Sequence, residues 1–132
     1  MNSVNMIGKI YNAKNFPFFD KNQGKMSYGN RPVLVIGIAD TGDCNILPLS
    51  RVNEKENVNE DFDIKLNPAD FPKLKLKYES YVRVHKQNVI HSGNFDLYVG
   101  DMANDYPEKY HDIMTALKDY NHKMISAAMN LG

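Results

Sequence analysis

The sequence predicts an α+β fold that is mainly β: a small barrel with one C-terminal amphipathic helix packed against it. Up to about residue 90, short apolar segments alternate with turns and loops rich in Gly, Asn and Asp, which is typical of strands. After residue 105, apolar residues repeat instead at three- and four-residue spacing. A chain of 132 residues has room for one core, so we expect a single domain over residues 1–132.

The first part of the chain contains two predicted strands. Residues 6–13, MIGKIYNA, alternate well enough to form the first strand. Residues 16–30 mix aromatic residues with Asp, Asn, Gly and Lys, which predicts a long loop. Residues 33–39, VLVIGIA, are a continuous apolar run rich in β-branched residues, the pattern of a strand buried on both faces.

A hairpin signal and a charged loop come next. Thr41-Gly42-Asp43 separates two apolar runs, which predicts a tight hairpin turn. The returning strand is residues 45–50, NILPLS, where Pro48 indicates an edge position or a bulge because proline cannot donate to a ladder. Residues 51–61 are charged and lack periodicity, so we expect a mobile surface loop.

Two further strand regions precede the helix. Residues 62–66, FDIKL, alternate as a half-exposed strand does, and residues 67–76 contain two prolines and are expected to cross the barrel end. Residues 80–90 form another strand region. Because residues two apart on a strand share a face, Arg83 and His85 are expected to project together.

The C-terminal helix has a start signal and an apolar stripe. Asp105 with Glu108 three residues later resembles a capping box, and Pro107 suits the first helical turn. The stripe consists of residues on one helical face: Ile113, Leu117, Tyr120, Met124 and Ala128. We therefore expect this helix to pack on the sheet.

Composition argues against several classes of protein. Sixteen basic and sixteen acidic residues give zero net charge, which argues against a protein that binds nucleic acid through its overall positive charge. It does not argue against an enzyme in which a few arginines at the active site bind a few phosphates. Cys44 is the only cysteine, so it is expected to be a small, half-buried side chain without an internal disulfide. No segment approaches the roughly 20 apolar residues that span a bilayer, and the N-terminus lacks a signal-peptide pattern. We expect a cytoplasmic protein that does not contact membranes.

Three blocks in order resemble the MazF/PemK (Kid-like) family of toxin endoribonucleases from bacterial toxin–antitoxin systems. The first is GKIY, a polar loop and then RPVLVI, over residues 8–36. The second, ILPLS at 46–50, is similar to the family's strand ending in Pro-x-Thr or Pro-x-Ser. The third, YVRVHKQNVI at 81–90, is similar to its V-R-x-D block. The resemblance covers roughly residues 7–128.

This resemblance implies an SH3-like barrel of the MazF/CcdB type, a homodimer, and a cognate antitoxin made of protein or RNA. It implies a metal-independent endoribonuclease without cofactor, in which the 2′-hydroxyl of single-stranded RNA attacks to give a 2′,3′-cyclic phosphate. Alternatives are an RNA-antitoxin-controlled (ToxN-like) toxin of the same fold and a non-catalytic barrel module for interaction or regulation. CcdB-type gyrase poisons depend on a C-terminal tryptophan, and this chain contains none.

Four residues match the family's catalytic positions. Arg31 matches the catalytic arginine, whose planar, permanently charged fork suits two phosphate oxygens. Ser50 matches the Thr or Ser that positions the phosphate. Arg83 and His85 match an arginine and an aspartate that serve as acid and base in some members. The histidine is a departure: imidazole also exchanges protons near neutral pH, so it acts either as general base or as phosphate ligand.

The predicted RNA-binding residues flank these positions in sequence: Lys21, Lys25, Tyr28, Arg51 and Lys55. The aromatic residues of the first loop are expected either to stack on splayed bases or to close one end of the barrel: Phe16, Phe18, Phe19 and Tyr28. The remaining histidines lack metal-ligand spacing and are expected at the surface: His91, His111 and His122.

Overall fold

Seven antiparallel strands and a long C-terminal helix make up the computed structural model, which describes residues 3–51 and 58–130. The strands and helices in chain order are β1 (Lys9–Asp20), β2 (Lys25–Asp40), β3 (Asp43–Arg51), β4 (Asp63–Leu66), β5 (Ser80–Arg83), β6 (Asn88–His91), β7 (Phe95–Asp101), α1 (Met102–Asp105) and α2 (Pro107–Met129). In these ranges no helix is long and apolar enough to cross a membrane.

The strands form one strongly bent sheet in the order β4-β5-β3-β2-β1-β7, and β6 also pairs with β3. β3 changes partner along its length, since Asp43 to Ile46 pair with β6 and Leu49 to Arg51 pair with β5. This exchange curls the sheet into a half-barrel. The predicted mainly β barrel with a C-terminal helix is therefore confirmed.

Both faces of the sheet are buried at its centre. Val33, Leu34 and Val35 of β2 are all 0% exposed, which confirms burial on both faces for the first part of the run predicted over residues 33–39. Residues 36–38 are only half-buried and Ala39 is exposed. One core lies between the sheet and α2 and includes the helix residues Ile113 and Leu117. The other lies on the opposite face and contains the β-branched side chains of β2 and β3, together with Cys44, which is fully rather than half buried.

The prediction of a loop over residues 16–30 is wrong. β1 and β2 continue past the core as a hairpin that ends in a turn at Gly24, whose φ of 65° favours glycine. Between Ala13 and Phe16 a bulge interrupts the ladder, with Asn15 at a φ of 54°. The bulge shifts the alternation by one residue, so the two halves of the strand have different periodic patterns and no single strand is visible in the sequence.

Pro48 lies in a central strand, so of the two predicted possibilities, an edge position or a bulge, the edge position is wrong. It is paired with Val33 on one side. On its other side it falls in the interval between the β6 ladder, which ends at Ile46, and the β5 ladder, which begins at Leu49. A residue without an N–H is tolerated there because the strand is exchanging partners. The predicted turn is confirmed: Asp40 pairs with Asp43, and Gly42 has a φ of 78°.

The strand predicted over residues 80–90 is interrupted. β5 ends at Arg83, a 3-10 turn covers Val84–Lys86, and β6 begins at Asn88. The prediction assigned no element to Phe95–Asp101, which forms β7; Leu97 and Tyr98 are both at least half exposed, so an apolar alternation is missing.

The start of the helix also differs from the prediction. Tyr106, the residue before α2, makes no capping hydrogen bond through its side chain, so the capping box of Asp105 and Glu108 is wrong, whereas Pro107 does open the helix. Asp101 instead caps α1 by accepting from the Asn104 N–H at 3.1 Å. The predicted apolar stripe packs only in its first half, because Met124 (46% exposed) and Ala128 are exposed. The neighbouring Ile125 (53%) and Met129 (78%) are exposed as well.

Candidate active site

Arg31 and Ser50 are in direct contact. The pairing of Val33 with Pro48 fixes the register of β2 and β3, and two residues beyond that pair the strands bring Arg31 and Ser50 opposite each other. The Arg31 Nη1 donates to Ser50 Oγ at 3.0 Å. Two of the four residues predicted to be catalytic thus form one partly buried pair.

An aromatic ring orients this arginine. The Arg31 guanidinium lies 4.8 Å from the centre of the Phe18 ring, a cation–π distance. Gly29 leaves room for that ring, because a Cβ at this position would lie 3.3 Å from it. The aromatic residues of this hairpin divide by role: Phe16 is buried in the core, Phe18 contacts the arginine, and Phe19 and Tyr28 are exposed.

Arg83 and His85 form a second cluster with Asp63 of β4. Arg83 pairs with Asp63 across the two strands, and its Nε donates to Asp63 Oδ1 at 3.1 Å. The Arg83 Nη2 lies 3.2 Å from His85 Nε2, so the predicted projection of Arg83 and His85 together is confirmed. The Asp63 side chain is 0% exposed. Nothing in the local sequence marked Asp63, which lies 20 residues from Arg83.

The two clusters lie on adjacent rows of the same sheet face. Ser50 pairs with Tyr81, and Arg83 lies two residues further along the same strand. A two-residue repeat in a strand spans roughly 7 Å and returns to the same face. The register therefore puts Ser50 and Arg83 on neighbouring strands of one sheet face.

His85 is held as a neutral imidazole. Burial lowers its pKa, Asp63 opposes this by favouring the charged ring, and Arg83 and Lys86 lower the pKa further. Arginine only donates, so Nε2 accepts from Arg83 and the ring proton sits on Nδ1. The Phe62 backbone also favours the charged ring, but the buried Nδ1 makes no hydrogen bond of good geometry among the described residues.

A basic cleft of about 480 Å³ opens beside Arg31. Its cationic side chains are Arg31, Arg51, Lys75 and Lys77. Arg51 stacks on Tyr78, with its guanidinium 3.6 Å from the ring centre. Sequence reasoning missed Lys75, Lys77 and Tyr78, although Lys73-Leu-Lys-Leu-Lys77 places lysines at alternate positions and would have indicated one basic face of an extended segment.

The predicted RNA-binding residues do not all meet at this cleft. Arg51 lines it, whereas Lys21 and Lys25 lie at the turn of the β1–β2 hairpin and Tyr28 is 69% exposed on β2. Lys55 lies outside the described residues. The three remaining histidines are exposed, as predicted.

Comparisons with known proteins give structural matches only. No family model and no curated protein matches the chain. A solved endoribonuclease in complex with its cognate antitoxin, from Mycobacterial species, is 17% identical, with a TM-score of 0.59 over 89% of this chain and 94% of that one. The Mycobacterium tuberculosis toxin MazF-mt6 is 13% identical, with a TM-score of 0.56 over 86% of this chain and 96% of that one. At these identities the likeness concerns architecture, and it confirms that this chain has the fold of the MazF toxins.

Proposed function

We propose that this chain is the toxin of a bacterial toxin–antitoxin system, an endoribonuclease that cleaves single-stranded RNA without a metal ion. The observation that carries the proposal is the 3.0 Å contact between Arg31 and Ser50, which joins a charged donor and a hydroxyl from two sequence blocks. The MazF fold and the adjacent basic cleft support it.

Arg31 and Ser50 would bind the scissile phosphate. Ser50 Oγ accepts from Arg31, so its own O–H proton is available to a phosphate oxygen. The arginine keeps its charge at any working pH and stabilises the negative charge that develops on the phosphate oxygens. The Phe18 ring and the hydroxyl preset the direction of the guanidinium, so little reorganisation is needed when substrate binds.

His85 and Arg83 would handle the protons and the leaving group. His85 Nε2 takes the proton of the 2′-hydroxyl as the bond between the 2′-oxygen and phosphorus forms. The bond from phosphorus to the 5′-oxygen breaks, and Arg83 donates a hydrogen bond to the departing oxygen. Water supplies the proton of this oxygen, and the hydroxide left behind takes the proton from the His85 imidazolium, which restores the neutral base. The products are a 2′,3′-cyclic phosphate and a 5′-hydroxyl end.

The flanking nucleotides would follow the cleft. Lysine and arginine side chains bind phosphates, and a tyrosine ring is a platform on which any base stacks. Arg51 stacked on Tyr78 combines both properties in one place. This arrangement suits an unpaired strand, whose bases are accessible.

Two partners follow from the proposal. A cognate antitoxin, protein or RNA, would hold the toxin inactive, as one structural neighbour is bound to its own antitoxin. A second copy of the chain would cover the exposed apolar end of α2 at Met124, Ile125 and Met129 and form a homodimer.

The test is cleavage of a short single-stranded RNA by purified protein in excess chelator. We expect cleavage to continue and the new 3′ ends to carry a cyclic phosphate, identified by mass spectrometry. Cleavage that stops in chelator and returns with a divalent ion would overturn the mechanism. Growth arrest on expression without any RNA cleavage would favour the interaction-module alternative.

A further inference from the structure

We infer that Asp63 is a positioning residue for this reaction, a buried carboxylate that holds Arg83 and orients His85 as the proton acceptor. The inference rests on the proposed function, but its geometry stands independently. Asp63 Oδ1 accepts from Arg83 Nε at 3.1 Å and lies 3.9 Å from His85 Nδ1. The Oδ1 atom of Asp63 in β4 therefore faces both the arginine and the histidine of the V-R-x-H segment.

The burial of Asp63 needs these cationic and polar neighbours. Its side chain is 0% exposed, and a carboxylate removed from water is strongly unfavourable unless it is paired and hydrogen-bonded. Oδ2 accepts from the Asn59 N–H at 2.9 Å, which closes the turn before β4. Oδ1 is the oxygen turned toward Arg83 and His85.

The Nδ1 atom of His85 can donate a hydrogen bond to this carboxylate. Nδ1 carries the ring proton, is buried, and has no hydrogen-bond partner within the described ranges. The nearest anionic atom given by the structure is Asp63 Oδ1 at 3.9 Å, about 1 Å beyond hydrogen-bond length. A small closing movement of the ring would make the Asp63–His85 hydrogen bond and fix Nε2 as the proton acceptor.

Arg83 controls access to that acceptor. In the free protein the Arg83 Nη2 donates a hydrogen bond to His85 Nε2 at 3.2 Å, so Nε2 cannot accept a proton from another group. A phosphate at the site would attract Nη2 while Nε stays on Asp63. Nε2 would then face the 2′-hydroxyl, and Asp63 would stabilise the imidazolium that forms. Asp63 thus acts through its two neighbours rather than on the substrate.

The other groups around His85 do not replace this carboxylate. β4 contributes Asp63, and Phe62 just before it contributes a backbone group that favours the charged ring less than Asp63 does. β5 contributes Arg83, and the following turn contributes Lys86. Helix α2 contributes the Tyr120 ring, 6.4 Å from the imidazole, and Lys123, which lies over the Phe62 ring. In this set Asp63 is the anion, so removing its charge leaves the imidazolium with cationic neighbours.

The experiment compares the full chain with Asp63→Asn by NMR titration of the His85 ring in the absence of RNA. An opposite charge at this distance typically changes a pKa by about one unit or more, so the acid dissociation constant of the ring should rise about tenfold in Asp63→Asn. Asn59→Ala is the control, because it removes the side-chain acceptor for two N–H groups of the same turn and leaves the carboxylate in place. An unchanged His85 pKa in Asp63→Asn would overturn the inference.

Cleavage kinetics provide the second measurement. Asp63→Asn should lower kcat about tenfold or more with little change in KM. It should also shift the acid limb of the pH–rate profile to lower pH. If the His85 pKa falls but neither protein cleaves RNA, the proposed function fails, and only the orientation of His85 by Asp63 stands. If Asp63→Asn does not fold, nitrogen shifts of the parent decide: a neutral ring protonated at Nδ1 supports the inference, and protonation at Nε2 overturns it.

Discussion

Replacing Arg31 with alanine is the most direct perturbation of the proposed site. Arg31→Ala removes the charged donor from Ser50 and empties the space above the Phe18 ring. The fold should survive, because the side chain is only partly buried and its cation–π contact contributes about 1 kcal/mol at such a position. The core of β2 begins two residues later, at Val33, and Val33 to Val35 are 0% exposed, so we expect them to keep their packing.

The effect on the reaction should be much larger. Loss of one preorganised charge-stabilising donor costs roughly 3 kcal/mol in the transition state, so single-turnover cleavage should slow by about a hundredfold or more. Arg31→Lys should recover only part of the rate, because an ammonium keeps the charge but lacks the fork that contacts Ser50 and a phosphate oxygen together.

The assay uses a short single-stranded RNA, saturating protein and chelator, with thermal unfolding followed by circular dichroism as a check on the fold. Lys118→Ala is the matched control, since it removes one positive charge from the exposed face of α2 and should leave the rate unchanged. If Arg31→Ala is folded and cleaves as fast as the parent, the site is assigned wrongly and the non-catalytic module is the better interpretation.

Four further outcomes test the same site and assembly. Ser50→Ala should slow cleavage less than Arg31→Ala, because a neutral donor contributes about 1 kcal/mol; rate constants in the same assay decide. Burial lowers the pKa of His85, so the imidazole stays neutral to pH values below about 6.5 and the cleavage rate should fall only below that pH. The pH–rate profile of His85→Ala should lack this fall at acid pH. RNA binding to the parent, measured by fluorescence anisotropy, should weaken about 20- to 50-fold from 50 to 200 mM salt, as three or four phosphate contacts predict. Binding to Arg31→Ala should weaken less over the same range, because one of these contacts is missing. Sedimentation at micromolar concentration should show a dimer, and monomer alone would contradict the homodimer.

The sequence predicts the parts of this fold that depend on local patterns. The run from Val33 to Val35 and the turn at Gly42 are unambiguous because burial on both faces and a positive φ each restrict the residue type. The outer half of the β1–β2 hairpin was missed because the bulge at Asn15 shifts its alternation. β7 was missed because half of its apolar residues face solvent.

Prediction of the site had a different limit. Arg31, Ser50, Arg83 and His85 were found because each lies in a block that resembles one family, and the structure brings them together in two pairs. Their catalytic roles remain predictions. Asp63 could not be found this way, since its importance depends on the pairing of β4 with β5, which is a tertiary property absent from any short segment.

The zero net charge of the chain is compatible with RNA as a substrate because charge is distributed unevenly. Sixteen acidic residues balance sixteen basic ones over the whole sequence, yet among the described residues the lining of the cleft beside Arg31 has four cationic side chains and no carboxylate. Arg51, stacked on Tyr78, is held at the wall of the cleft, where it can meet the backbone and a base of the same strand. Local field rather than net charge determines whether a few phosphates are attracted. On the proposed function, we expect this protein to bind a short stretch of RNA around the reactive phosphate and to leave the rest of the strand in solvent.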